Sequence, residues 1–140
     1  MTNLPAEAGS RSLSMFTPGP PKAERRTRMA ATCTWTGKSG LEYQYAIAKL
    51  PSSFTPGKGN YVYAKPGSPG KWIPVYIGEG ELNDRADTSK HQQGVCIEER
   101  GATHFHWHAR NGASRDDRRT EEQDLLGNYT NAYFPQGCNR

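Results

Sequence analysis

Two short runs rich in Tyr and Val, Gly59-Asn60-Tyr61-Val62-Tyr63-Ala64-Lys65 and Val75-Tyr76-Ile77-Gly78, stand on either side of Pro66-Gly67-Ser68-Pro69-Gly70-Lys71. β-Branched and aromatic runs bounded by Pro and Gly favour paired extended structure, so this stretch constrains the chain to a β-hairpin. The two-residue side-chain period puts Tyr61 and Tyr63 on one face of its first strand and Val62 on the other. A second hairpin precedes it. Thr34-Trp35-Thr36, the turn Gly37-Lys38-Ser39-Gly40 and Leu41 to Ile47 read as two strands, with Leu41, Tyr43, Tyr45 and Ile47 alternating onto one face. Pro51 to Lys58 reads as a loop anchored by Phe54.

Beyond the Gly78-Glu79-Gly80 break, Leu82 to Gln93 reads as a short helix, with Leu82, Arg85, Ala86 and Ser89 at helical spacing. Thr103-His104-Phe105-His106-Trp107-His108 alternates strictly; Thr103, Phe105 and Trp107 face the core and the three histidines share the other face. Three imidazoles on one face invite a metal reading, but no carboxylate or thiolate lies nearby in sequence, and half-exposed strand histidines are ordinary. Ser114 suits a helix N-cap, with Asp116 and Asp117 at the positive end of the dipole, and Gly127 suits its end. On that helix Glu122 shares a face with Arg118 and one of Leu125 or Leu126, rather than with Glu121. The whole reads as a small α/β domain: a mainly antiparallel central sheet flanked by two or three helices.

The chain has 140 residues, and its aromatic and aliphatic content lies almost entirely beyond Met29, so one domain over residues 32–140 is expected. Met1 to Arg28 is rich in Pro, Ser, Ala, Arg and Lys; it reads as a flexible basic tail with no apolar run suited to a signal peptide or membrane span, and translation from Met29 is an alternative start. Cys33, Cys96 and Cys138 are odd in number and widely spaced, which argues against a disulfide framework or structural zinc and suits a reducing cytoplasm. The net charge of +4 points only weakly to a polyanionic partner.

The residues Gly59-Asn60-Tyr61 and Tyr76-Ile77-Gly78, followed by Leu82-Asn83-Asp84-Arg85, resemble the GIY-YIG nuclease superfamily. Glu122-Gln123-Asp124-Leu125-Leu126 is similar to its helical Glu-x-x-Leu-(Leu/Ile) element, and Asn139 falls where that family often has Asn. The resemblance runs from Trp35 to Asn139 and departs from the pattern at Asn60, which replaces an aliphatic residue. It implies an endonuclease that hydrolyses phosphodiester bonds with one divalent cation, Mg²⁺ or Mn²⁺. By resemblance, Tyr61 is the general base, Tyr76 orients water or substrate, Arg85 stabilises the phosphate and Glu122 holds the metal. Tyr63 is the alternative to Tyr61, and Gly59, which completes Gly-x-Tyr, favours Tyr61. His91 is a further acid or base candidate; Lys65, Arg85, Arg118 and Asn139 are candidates for nucleic-acid contact. The implied substrate is DNA that is branched, damaged or single-stranded, with RNA not excluded. Because a fold can outlive its chemistry, a non-catalytic nucleic-acid-binding or protein-interaction domain is the competing class.

Overall fold

The motif hairpin is the spine of the sheet. The computed structural model describes residues 31–140; the expectations for a tail over Met1–Arg28 and for the start codon lie outside them. The elements run β1 (Thr32–Thr36), β2 (Glu42–Lys49), β3 (Lys58–Pro66), β4 (Trp72–Glu81), α1 (Leu82–Arg85), α2 (Gly94–Glu99), β5 (His104–Ala109) and α3 (Arg115–Asn128), followed by a 3₁₀ turn over Thr130–Ala132. The five strands lie in the order β1-β2-β5-β3-β4, every neighbouring pair antiparallel.

Strand β3 has helices on both sides, which is why Tyr61, Val62, Tyr63 and Ala64 are all buried despite their alternation. Val62, Ala64 and Ile77 pack with Trp35, Tyr45, Leu125 and Leu126 beneath α3. Tyr61, Tyr63 and Phe105 pack on the opposite face with Leu82, Ala86 and Ile97. Phe54 anchors its loop there, with ring centroids 5.3 Å from Phe105 and 4.8 Å from Trp107. The β3–β4 register shifts between Tyr63 and Ala64: Tyr63 faces Tyr76, but Ala64 faces Pro74. Val75 is the extra residue of a bulge, and Pro74, which has no N–H to donate, sits on the edge strand where it is tolerated.

Several expectations are corrected. Strand β4 runs through Gly78-Glu79-Gly80 to Glu81 instead of breaking there. The helix expected over Leu82 to Gln93 stops at Arg85, because Asp87 accepts from the Ser89 amide at 2.9 Å and closes a turn. A second helix, α2, follows, and Gly94 at its start is required because a Cβ there would fall 1.8 Å from the Thr88 carbonyl oxygen. Leu41 is exposed rather than in the core.

The histidine face of β5 is half-exposed at His104 and His108, as expected, and closed between them. His106 is fully buried against Trp35 and Trp72. Its Nδ1 accepts from Trp35 Nε1 at 3.1 Å, and the Nε2 proton has no polar partner among the described residues; it belongs to a ring that meets Trp72 edge to face at 4.7 Å. His104 bonds Thr103, and His108 bonds Glu121, so the three imidazoles serve separate partners. Among the described residues no cluster of three His, Cys, Asp or Glu side chains is arranged to hold a metal ion.

The cysteines differ most from expectation. Cys96 and Cys138, 42 residues apart, form a disulfide, leaving Cys33 free beside His106 with its thiol pushed up to about 11 by burial. The argument from three free thiols to a reducing compartment falls with that bond. Among the described residues no helix is long and apolar enough to cross a membrane.

Candidate active site at the β4 edge

Each strand of the hairpin delivers one phenol to the same place. Tyr61 faces Gly78 across the ladder, and only glycine fits there: a Cβ would lie 2.5 Å from the Tyr61 hydroxyl oxygen and 2.9 Å from the Tyr76 ring. The Tyr61 and Tyr76 rings stack with centroids 6.0 Å apart. His91, from the loop between α1 and α2, closes the group edge-on, 4.7 Å from Tyr76 and 5.9 Å from Tyr61. Helix α1 brings Arg85, whose exposed side chain lies against Gly80. With φ +144° and a would-be Cβ 2.7 Å from Arg85 Nε, Gly80 is another position where a side chain would displace the cation.

The hydrogen bonds fix a tautomer. The Gln93 amide donates to His91 Nδ1 at 2.9 Å, so the proton of the neutral ring is assigned to Nε2, which donates to the Tyr61 oxygen at 2.7 Å. Burial, assisted by the positive charge of Arg85, pushes His91 down to about 4, and the ring is neutral at pH 7. In this tautomer His91 cannot take the Tyr61 proton; it stabilises a phenolate once formed. Burial raises Tyr61 well above the usual phenol value, with Arg85 acting in the opposite direction.

Helix α3 supplies Glu122. Its inner face carries Arg118, Glu121, Leu125 and Leu126, so Glu121, not Glu122, is the carboxylate turned into the protein. Glu121 accepts from Tyr45 at 2.6 Å and is bonded to His108 and Arg110, a satisfied buried network. Glu122, half-buried, makes no ion pair within 4 Å among the described residues; burial and the nearby Glu79 carboxylate push its pKa up. It lines an open cleft of about 450 Å³ with Tyr76, Gln92, Gln93, Tyr133, Asn139 and Arg140. Tyr61 lies behind Tyr76, only 1% exposed. A larger cavity of about 660 Å³ opens between the Leu50–Phe54 loop, α1 and α2, but Asp87 and Glu98 line it and no expected site residue reaches it.

Tyr61, Tyr76, Arg85, His91 and Glu122 therefore converge, while four other candidates do structural work. Tyr63, the alternative base, donates to the Arg85 carbonyl and pins α1. Lys65 Nζ donates to the Arg100 carbonyl at 2.7 Å, and buried Arg118 binds Glu79 at 3.0 Å and the Ala113 carbonyl at 2.9 Å. Asn139 lines the cleft with its amide spent on β4: it donates to the Ile77 carbonyl at 2.8 Å and accepts from the Ile77 amide at 2.9 Å. Sequence reasoning missed Glu79, which a longer reading of β4's alternation would have found, and the Gln93 amide, for which side-chain identity carries no signal. Comparison of the chain with protein-family models, curated proteins and solved structures gave no match.

Proposed function

We propose that the protein is a metal-dependent endonuclease of the GIY-YIG type, cleaving phosphodiester bonds of DNA at the β4 edge. The observation that carries this reading is the convergence of two phenols, a neutral imidazole, an exposed guanidinium and a carboxylate from β3, β4, α1, the following loop and α3 onto one group beside an open cleft. Glu122 fits a divalent cation: it is a half-buried carboxylate beside a second carboxylate, without a cationic partner within 4 Å among the described residues. Mg²⁺ or Mn²⁺ bound there, retaining waters and taking substrate oxygens, would supply Lewis-acid stabilisation of the phosphorane.

The protein's own groups divide the rest. Arg85 binds the phosphate oxygens and offsets their growing charge. Tyr76, which reaches the cleft, orients the attacking water. Tyr61 first loses its phenolic proton to solvent water and then, as a phenolate held by the His91 Nε2–H and favoured by Arg85, takes the proton of the attacking water. The burial of Tyr61 behind Tyr76 favours the second reading, a nucleic-acid-binding domain without turnover.

Incubation with supercoiled plasmid and branched oligonucleotides, with Mg²⁺, Mn²⁺ or chelator, separates the two. Metal-dependent nicking is expected, with Arg85→Ala, Glu122→Gln and Tyr61→Phe each slowing it by about a hundredfold or more while binding persists. Binding with no cutting under any metal leaves the non-catalytic reading; cutting unaffected by Arg85→Ala and Glu122→Gln removes this site.

A further inference from the structure

We infer that Phe134 is a stacking platform for an unpaired nucleobase of a strand entering the cleft, with Arg100 and Arg140 serving the adjoining phosphates; the inference deepens the nuclease reading and rests on it. Phe134 is 49% exposed, an unusual position for a ring the core has not used. Two guanidinium groups lie over it, Arg140 at 4.3 Å and Arg100 at 5.5 Å from its centroid. The ring is held for contact rather than left loose. Its amide donates to the Asn139 carbonyl at 2.8 Å, and Cys138 is tied to α2 by the disulfide. Arg100 is fixed as well: its Nε donates to the Pro135 carbonyl at 2.8 Å, and its own carbonyl accepts from Lys65. Among the described residues the carboxylate paired with Arg100 is that of Glu99, exposed and 4.0 Å away, a weak solvated contact.

The patch is continuous with the active-site cleft, since Arg140 and Tyr133 line the cleft that Tyr76 and Glu122 also line. A flat apolar face bordered by cations fits a base joined to phosphates: every base has a π-face, and the guanidinium groups meet the backbone. Exposed Arg140 swings aside to admit the base and turns to the neighbouring phosphate. A protected duplex offers no such face. The site thereby selects branched, flapped or single-stranded substrates over intact duplex.

The test uses the full chain in chelator, titrated by fluorescence anisotropy into a labelled oligothymidylate of about twelve nucleotides and into a duplex of equal length. Phe134→Ala is expected to weaken oligothymidylate binding about tenfold and duplex binding less than twofold, Phe134→Leu to match the alanine variant, and Phe134→Trp to retain affinity. Arg140→Ala should weaken both ligands and lower the slope of log affinity against log salt by about 0.7 on the single strand. An oligonucleotide carrying 2-aminopurine should be quenched on binding wild type and not Phe134→Leu. Equal oligothymidylate affinities for wild type, Phe134→Ala and Phe134→Leu, or no difference in quenching, would overturn the platform. Cleavage of a branched substrate with Mg²⁺ is followed in parallel. If the Phe134 variants lose single-strand binding but wild type never cuts, the platform stands and the nuclease reading falls; if wild type cuts and the variants match it in both assays, the reverse holds.

Discussion

Asn60 is the residue where the sequence pattern and the structure inform each other most. It stands where the resembled family has an aliphatic side chain, and its Nδ2 donates to the Arg118 carbonyl at 2.7 Å, joining the strand of Tyr61 to the helix of Glu122. Its Oδ1 is buried without a hydrogen-bond partner among the described residues. Asn60→Asp should therefore destabilise the fold by about 3 kcal/mol, because it sets a buried charge against a carbonyl oxygen; chemical denaturation measures it. His91 gives the second residue-level expectation. If Tyr61 acts as the proposed base, its phenolate would accept from the His91 Nε2–H, and His91→Ala should reduce kcat/KM about tenfold to a hundredfold near neutrality and move the rising limb of the pH–rate profile to higher pH. An unshifted profile would leave His91 a packing residue. That Arg85 would lie near the strand end carrying Tyr76 was legible in the order of the hairpin and the helix after it. The direction of the His91 proton was not, since it is set by a backbone amide two residues on.

Among the elements, the hairpin was the most legible, because its alternation and its Pro/Gly loop agree on one structure. The α1–α2 segment was the least. Its spacing fits a helix, yet local Asp87–Ser89 hydrogen bonding and the tight approach of Gly94 to Thr88 divide it into two short helices. The histidine strand departed from expectation at one residue: alternation marks two faces but does not say that Trp35 and Trp72 close over His106 in the middle of the second. The cysteines resisted because pairing depends on the return of the last residues to α2. Removing that bond by Cys96→Ser with Cys138→Ser is expected to cost about 4 kcal/mol from the freed loop entropy, read as a lower denaturant midpoint than wild type under non-reducing conditions. The same variant under nicking conditions should lose activity in step, since Asn139 follows Cys138 and lines the cleft.

At the scale of the whole molecule, two buried neutral histidines govern the response to acid. His91 and His106 are each pushed down to about 4, chiefly by burial. The unfolded chain takes up these protons first as pH falls through the ordinary value near 6.5, so stability is full above that pH and declines toward pH 4. Thermal melts at pH 7.5, 6 and 5 should show a falling Tm, and Tm independent of pH over this range would mean the imidazoles are not buried neutral in solution. The composition indicated one domain and a weakly basic surface, but gave no hint of how the sheet ends. Among the described residues, the free edge of each outer strand is bonded by side chains at one residue. Asn139 occupies both backbone groups of Ile77 on β4, while on β1 the Thr36 amide donates to the Tyr129 hydroxyl and its carbonyl accepts from Asn128. Among the described residues, these side chains take backbone groups that a further strand would otherwise bond. A foreign strand would have to displace them before it could pair at these residues, so the same asparagine that borders the cleft also hinders edge pairing at Ile77.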